Sequence, residues 1–261
     1  MALTREAHAQ GALVVVLPEL SDSGYVFERR EELEDWGGPI PEGVAARRLI
    51  ALAQELGIYI VSGLAEKDGD VFYNSAVFCG PQGYIGKYRK LHLWNREKLF
   101  FKPGDLGAPV FETPIGVVGL AICYDGWFPE IFRKMALEGA DLICVPTNWV
   151  PMAGNEGHPE AMANVLHKAA AHSNSLFIAC ADRIGVERGQ PFEGQSLIVG
   201  PTGWPVAGPA SPDKPEIIVA TVRLSEARAH RTINEFNDVF GDRRPDIYGS
   251  QDPSGEPQLE K

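Results

Sequence analysis

Long apolar stretches and blocks of basic charge are both missing from this chain of 261 residues. No apolar run approaches the ~20 residues that a membrane-spanning helix needs, so a membrane protein is not expected. The N-terminus, MALTREAHAQ, is polar and helix-like and lacks the pattern of a secretory signal. The formal net charge is −11, and the basic cluster at 87–90 is short. Nucleic acid and anionic membrane surfaces are therefore not expected as partners.

Cysteine is also scarce, and spacings typical of metal ligands are lacking. The chain has four cysteines, and none has CxxC or CxxxH spacing. The histidines are too scattered for a metal site, so neither a metal nor another cofactor is predicted. Three cysteines lie in apolar strand-like runs, where buried free thiols typical of a reduced cytoplasmic protein are expected: Cys79, Cys144 and Cys180.

Strand-like and helix-like segments alternate along the chain, which implies α/β layering. With 44% hydrophobic residues, the chain can bury a substantial core. We predict a single domain over 1–248 and a polar C-terminal tail at 249–261. The pattern predicts helices at about 42–56, 128–138 and 160–173, and strands at 11–17, 58–64, 73–79, 84–90, 117–122, 141–146, 176–182, 195–200 and 216–223.

The segment GLAICYDGWFPE, at 119–130, predicts an apolar strand, a sharp turn and a helix. Cys123 lies in the turn, close to the start of the helix. There the helix dipole and free N–H groups are expected to favour a thiolate and to supply donors for an oxyanion. From these residues alone, Cys123 fits both a nucleophile and a small buried core residue.

Two further segments carry residues of the same kind of chemistry. Glu19 follows the strand GALVVVLPE, and Lys90 ends the strand in KYRKLHL. Taken singly, Glu19 is typical of a strand-end acid and Lys90 of a solvated face, and Lys87 and Arg89 are expected as surface charges. The ordered trio of Glu19, Lys90 and Cys123 resembles the Glu-Lys-Cys triad of the nitrilase (carbon–nitrogen hydrolase) superfamily. The segment GQSLIVGPTGWP at 194–205 also resembles this family.

The resemblance implies a fold that periodicity does not specify. Family members form a four-layer α-β-β-α sandwich with the triad at the carboxyl ends of strands. They usually pair through the helices that follow the cysteine strand, so a homodimer or higher homo-oligomer is expected through 128–138 and 160–173. Members normally begin with a strand before the first helix. Here Met1 opens directly on what resembles that helix, so the first strand is predicted to be absent.

The resemblance also implies roles for individual residues. Cys123 would attack the substrate and form a thioester, while Glu19 would move the protons. Lys90 and the backbone N–H of Tyr124 would stabilise the oxyanion. Glu97 resembles a second glutamate that positions the lysine in many members; the alternative is a solvent-facing loop acid.

The residues after the cysteine divide the subgroups of this family. Tyr124-Asp125 resembles the amidase-like branch, and Gly126-Trp127 stands where hydrolases of N-carbamoyl amino acids have arginines. Five residues are predicted to line a mainly apolar substrate pocket, although core packing explains the aromatic ones equally well: Tyr25, Tyr124, Trp127, Asn148 and Trp149.

Three functional hypotheses remain open from the sequence. The first is hydrolysis of a small aliphatic amide to an acid and ammonia. The second is the same triad acting on nitriles or N-carbamoyl amines. The third is a catalytically silent scaffold or interaction protein, which the missing first strand makes conceivable and the intact triad disfavours.

Overall fold

Two β-sheets form the centre of the fold in the computed structural model, which describes residues 1–248. The predicted tail at 249–261 lies outside the described residues. The first sheet has the order β1-β2-β3-β4, with β1 parallel to β2 and the other pairs antiparallel. Its strands are β1 (Val14–Val16), β2 (Tyr59–Asp68), β3 (Val71–Gly80) and β4 (Gly83–Arg89).

The second sheet has six strands in the order β12-β11-β8-β7-β6-β5, and a separate two-stranded hairpin pairs β9 with β10. Strands β6, β7 and β8 run parallel, so their carboxyl ends meet at one edge of this sheet. The bounds are β5 (Val110–Thr113), β6 (Gly116–Leu120), β7 (Leu142–Pro146), β8 (Phe177–Ala181), β9 (Val186–Glu187), β10 (Gln190–Pro191), β11 (Leu197–Val199) and β12 (Pro205–Ala207).

Helices cover the outer faces of both sheets, and none in residues 1–248 is long and apolar enough to cross a membrane. Two 3₁₀ turns, Asn95–Leu99 and Cys123–Trp127, follow strands β4 and β6 along the chain. The helices are α1 (Ala2–Ala9), α2 (Glu32–Trp36), α3 (Val44–Leu56), α4 (Pro129–Leu137), α5 (Met162–Asn174), α6 (Glu226–Ala229) and α7 (Pro245–Tyr248).

Alternation along β2 shows how the layers are built. Ile60 packs outward against α3, where Leu52 belongs to the same buried cluster. Its neighbour Val61 faces the other way and joins the cluster between the two sheets, together with Phe78 and Ile143. Side chains of a strand point alternately to the two faces, so one strand serves two core layers. The predicted α-β-β-α sandwich is therefore confirmed.

The sequence-based boundaries hold for the long elements, and one predicted strand is wrong. No strand precedes α1, which begins at Ala2, in the described residues. The segment 216–223 has the alternation of a strand, and Val222 packs against the core. It nevertheless pairs with no strand among residues 1–248. Alternation reports burial on one face, but a strand also requires a neighbour for its backbone hydrogen bonds.

Candidate active site

The turn after β6 holds Cys123 in a strained backbone conformation. Its φ is +46°, in the left-handed region that residues other than glycine seldom adopt. Asp125 fixes the turn: its Oδ2 accepts from the N–H of Ile122 and from the hydroxyl of Tyr88, each at 2.8 Å. Its Oδ1 accepts from the N–H of His92 at 3.1 Å. The thiol is therefore presented by a braced turn rather than by a loose loop.

A buried lysine joins two buried carboxylates beside this turn. Lys90 Nζ donates to Glu19 Oε1 at 2.6 Å and to Glu97 Oε1 at 2.8 Å. Burial alone would lower the pKa of Lys90, but the charges of Glu19 and Glu97 outweigh it and hold that pKa above its usual range. One ammonium faces two carboxylates. Burial and the charge of Glu19 accordingly raise the pKa of Glu97 to about 7, against the pull of Lys90.

Glu19 is held by its backbone and by one of its two carboxylate oxygens. Asn74 Nδ2 donates to Glu19 Oε1 at 2.7 Å, and Asn148 Nδ2 donates to the Glu19 carbonyl at 2.9 Å. A Cβ on Gly63 would collide with the Glu19 backbone, so this close approach requires glycine. Glu19 Oε2 is buried and has no hydrogen-bond partner in the described part of the chain. This oxygen thus keeps an unused hydrogen-bond acceptor beside Cys123 and Lys90.

Glu97 lies in the 3₁₀ turn after β4 and is nearly fully buried, so the solvent-facing alternative is wrong. Its Oε1 accepts from the hydroxyl of Tyr25 at 2.8 Å, and its Oε2 accepts from the N–H of Trp94 at 3.3 Å. Together with Lys90, these donors fix both carboxylate oxygens. Tyr25 therefore contacts the charged cluster through Glu97.

Burial dominates the electrostatics of the thiol. Burial and then the charge of Glu19 raise the pKa of Cys123 well above its ordinary value, while Lys90 and the backbone N–H of Asn148 act in the opposite direction. The expectation that the helix dipole favours a thiolate is wrong here, because the turn is buried and carboxylates outnumber cations around it. The raised pKa favours the thiol over the thiolate, so the cysteine needs a base to become a nucleophile.

A small cavity opens onto Cys123, with a volume of about 20 Å³. That volume holds about one water molecule, so a substrate has to displace side chains of the wall. No acidic or basic side chain lines it. The wall contains four of the five predicted pocket residues but not Tyr25, and consists of Trp94, Cys123, Tyr124, Trp127, Asn148, Trp149, Val150 and Met152.

Asp182 braces the part of this wall that follows β7. Its Oδ1 accepts from the N–H of Trp149 at 2.7 Å and from the hydroxyl of Thr147 at 3.2 Å. Burial raises the pKa of the Asp182 carboxyl well above its ordinary value. The intervening residue Asn148 binds the backbone of Glu19, so one carboxyl group steadies both the cavity wall and the support of Glu19.

A larger surface cavity of about 330 Å³ lies elsewhere, against Asp22, Trp36 and Gly43. None of the triad residues lines it, whereas Cys123 lines the smaller cavity. Residues 1–248 contain no group of three or more His, Cys, Asp or Glu side chains placed to hold a metal ion.

Lys87 and Arg89, on β4, were predicted to be surface charges, and this prediction is wrong because both bind the buried Glu66. Arg89 is buried and donates to Glu66 Oε1 at 2.7 Å and to Glu66 Oε2 at 3.0 Å. Lys87 Nζ donates to the same Glu66 at 2.5 Å, and Ser75 completes the shell at 2.6 Å. Lys90 directly follows β4, and its side chain turns to Glu19 and Glu97, whereas that of Arg89, the last residue of the strand, turns to the opposite face.

Several supporting residues carry no recognisable signal in the sequence. Asn74 and Asp182 bind partners that are tens of residues away in the sequence, and no periodic pattern relates either residue to its partner. Asp125 is the exception, because an acid in the first turn after a strand is typical of a group that caps free N–H donors. His92, in the segment after β4, packs against that turn, with Nδ1 2.7 Å from Asp125 Oδ1 and its ring stacked on Phe128.

Comparison with known proteins agrees with this geometry. The family model described as Carbon-nitrogen hydrolase matches residues 1–232. The chain is 49% identical over 247 residues to a protein named nitrilase from Pyrococcus abyssi, an alignment that covers 94% of this chain and 90% of the relative. It is 35% identical over 267 residues to N-carbamoylputrescine amidase from Arabidopsis thaliana, covering 94% and 86%.

Among solved structures, an amidase from Nesterenkonia sp. superposes with a TM-score of 0.73 at 28% identity, covering 93% of this chain and 84% of that one. A variant of that amidase carries the acetamide moiety of fluoroacetamide covalently at its active-site cysteine. The family match spans most of the chain, and the relatives agree with it. The chain belongs to the carbon–nitrogen hydrolase family.

Proposed function

We propose that this protein hydrolyses small, uncharged aliphatic amides to a carboxylic acid and ammonia through a thioester on Cys123. The observation that carries the proposal is the buried lysine shared by Glu19 and Glu97 beside a thiol on a strained turn. Buried charges of this kind are costly, and strained turns are common at reaction sites. The uncharged cavity wall supports a neutral substrate.

In the first half of the reaction, Glu19 takes the proton of the Cys123 thiol as the sulfur attacks the carbonyl carbon. The ammonium of Lys90 and the backbone N–H of Tyr124 stabilise the oxyanion, each such donor being worth about 3–4 kcal/mol in acyl transfer. The C–N bond then breaks, and Glu19 passes its proton to the leaving nitrogen. Ammonia departs and the acyl group remains on sulfur.

In the second half, water attacks the thioester carbon and gives a proton to Glu19. The C–S bond breaks, the acid leaves, and Glu19 returns its proton to the sulfur. The sum is one amide and one water consumed for one acid and one ammonia. Because Cys123 rests as a thiol, the carboxylate that receives its proton must lie within the same buried site, as Glu19 does.

The test is ammonia release from a panel of short aliphatic amides, nitriles and N-carbamoyl amines, with the Cys123→Ala variant beside the native protein. We expect the amides to rank first and the substitution to abolish turnover. Nitriles and N-carbamoyl amines are included in the panel because relatives are named nitrilase and N-carbamoylputrescine amidase. A nitrile ranked first, or carbon dioxide released with ammonia from a carbamoyl amine, would move the assignment to that branch.

A catalytically silent protein is the competing hypothesis from another class. Selective alkylation of Cys123 by iodoacetamide separates the two, because all four cysteines are buried but only Cys123 lines the cavity. We expect one modified thiol per chain in the folded protein. No selective labelling, combined with no turnover, would favour the silent alternative.

A further inference from the structure

The β9–β10 hairpin reaches across to the segment that carries Tyr25 through a single carboxylate. Glu187 accepts the backbone N–H of Tyr25 at 3.1 Å and that of Val26 at 3.1 Å. Arg183 forms an ion pair with the same carboxylate. The Glu187 side chain is only 22% exposed, so solvent does not readily replace these contacts.

The contact is tight on both sides. A Cβ on Gly24, whose φ is +82°, would come within 2.7 Å of Glu187 Oε1, so the chain approaches the carboxylate as closely as glycine permits. Phe192, from the same hairpin, packs edge-on against the Tyr25 ring at 5.9 Å. Arg183 in turn lies 4.2 Å over the Phe192 ring. The hairpin therefore fixes Tyr25 by its backbone and by its ring.

Tyr25 transmits this restraint to the charged cluster. Its hydroxyl donates to Glu97 Oε1 at 2.8 Å, and that oxygen also accepts from Lys90 Nζ. Burial and the charge of Glu97 hold the pKa of Tyr25 well above its ordinary value, so the hydroxyl stays protonated and can donate. A chain of named contacts thus runs from Glu187 through Tyr25 and Glu97 to Lys90.

We propose that Glu187 is a positioning residue of the reaction site, which acts through Tyr25 to hold Glu97 and thereby to direct the Lys90 ammonium at the reacting carbonyl. Glu187 touches none of the reacting atoms. The inference rests on the proposed function for its link to turnover, but the contacts that carry it are independent of the substrate.

The test is a double-mutant cycle on Glu187→Ala and Tyr25→Phe, measured with the amide that the native protein turns over fastest. Each single variant should lower kcat by about 10-fold to 100-fold with less than about 3-fold change in KM, since displacements near 1 Å cost rates of this order. The double variant should lose little more than either single one, because both break the same chain of contacts.

The pH profile gives a readout that a merely structural role would not move. The Tyr25 hydroxyl favours the ionised form of Glu97, so losing it raises the pKa of Glu97 further. The acid limb of kcat/KM should therefore move to higher pH in both single variants. Glu187→Gln, which keeps one acceptor oxygen, should recover part of the rate.

The matched control is Glu32→Gln. Glu32 pairs at 2.6 Å with Arg188 of the same hairpin, whose side chain is 45% exposed, and this pair lies away from Tyr25. It should leave kcat and the pH profile as in the native protein. The proposal would be overturned if Glu187→Ala had the kcat and pH profile of the native protein. It would also be overturned if the losses of kcat in the two single variants added up in the double variant.

Alkylation of Cys123 separates failure of this inference from failure of the proposed function. If the native protein turns over no amide, the proposed function fails. The iodoacetamide rate constant should still change in the same direction, by at least about 3-fold, in Glu187→Ala and Tyr25→Phe, because Lys90 and Glu97 set the field at the thiol. An unchanged rate constant in both would overturn the positioning role as well.

Discussion

Two buried glutamates, Glu66 and Glu97, each bind a cation from the end of β4, yet the pKa of Glu66 is lowered and that of Glu97 is raised. In the Glu66 cluster (Glu66, Ser75, Lys87 and Arg89), two cations serve one buried carboxylate, although Arg89 also binds the exposed carboxylates of Asp68 and Asp105. Burial by itself raises the pKa of Glu66, but hydrogen bonds from Arg89 and Lys87 outweigh it and lower that pKa. In the Glu97 cluster (Glu19, Tyr25, Lys90 and Glu97), one cation serves two carboxylates, and the pKa of Glu97 rises to about 7.

The two clusters differ in the ratio of cations to buried carboxylates and in how completely the carboxylate oxygens are hydrogen-bonded. Both oxygens of Glu66 have donors, so its burial leaves no polar atom unsatisfied. In the Glu97 cluster, Glu19 Oε2 has no partner among the described residues. An unsatisfied buried oxygen costs about 1–3 kcal/mol, a cost that a fold retains where an acceptor is needed for chemistry. Two adjacent residues at the end of β4, Arg89 and Lys90, belong to these two different clusters.

The largest effect should come from Glu19→Gln. Every proton transfer in the proposed cycle passes through Glu19, and general acid–base groups contribute about 100-fold to 10,000-fold. We expect ammonia release to fall toward the upper end of this range, while the free energy of unfolding stays the same or rises. Ammonia release and urea unfolding measure the two quantities. Turnover within about 10-fold of the native rate would contradict the assignment of the base.

Glu66→Ala tests the structural side of the comparison. Removing the carboxylate leaves the buried Arg89 without its main partner, which typically costs about 3–5 kcal/mol of stability. The folded variant should keep kcat within a few fold of the native value. Asp68→Asn is the control: Asp68 also binds Arg89 but is 63% exposed, so about 1 kcal/mol or less is expected. Native-like urea unfolding of Glu66→Ala would refute this reading of the cluster.

The pH dependence of stability should differ in sign between the two glutamates. With its pKa raised from 4.5 to about 7, Glu97 binds its proton more readily in the folded state, so its contribution to stability falls as pH rises through that window. Glu97→Gln removes this loss. Relative to that of the native protein, the free energy of unfolding of the variant should rise by up to about 1.4 kcal/mol per pH unit between about pH 5 and 7.

Glu66→Gln supplies the opposite case. Its pKa is lowered, so the stability it contributes is present above its ordinary value of 4.5 and is lost as pH falls through the folded-state value. The difference from the native protein should therefore be constant near neutral pH and change only in acid. Urea unfolding at several pH values measures both variants. If Glu97→Gln and Glu66→Gln changed the pH dependence of stability in the same way, the two clusters would not differ as described.

The smallest effect concerns the uncharged cavity beside the Glu97 cluster. Met152 is part of the cavity wall, and shortening it makes room for a longer acyl chain. Met152→Ala should shift the ratio of kcat/KM for a longer against a shorter amide by about 10-fold, the usual value of one or two methylenes. Met162→Ala, on α5 and outside the wall, is the control. If Met152→Ala left the ratio of kcat/KM unchanged, the acyl chain would not bind against Met152.

Local patterns predicted much of this molecule. The apolar run, turn and amphipathic helix around Cys123 appear as β6, the 3₁₀ turn and α4, because these elements depend on neighbours in the sequence. The same holds for the buried free cysteines in β3, β7 and β8. Glu19, Lys90 and Glu97 were predicted by resemblance, since no property of the three segments taken singly distinguishes them from surface charges.

Contacts between distant segments were not predictable in this way. Arg89 and Lys87 were expected at the surface, because the sequence does not show that Glu66 lies buried across the sheet. The thiol of Cys123 was expected to be acidic, because the number of carboxylates around it depends on the fold. Segment 216–223 was expected to form a strand, because alternation carries no information on whether a pairing partner exists.

The most direct test of the central claim is the intact mass of the protein, quenched in acid after mixing with a short aliphatic amide. We expect a mass increase equal to the acyl group less one hydrogen, located on Cys123 by peptide mapping and absent from Cys123→Ala. Ammonia should appear in the burst at the same stoichiometry. Ammonia released at the native rate by Cys123→Ala, or an acyl group found on another residue, would contradict a hydrolase that works through this cysteine.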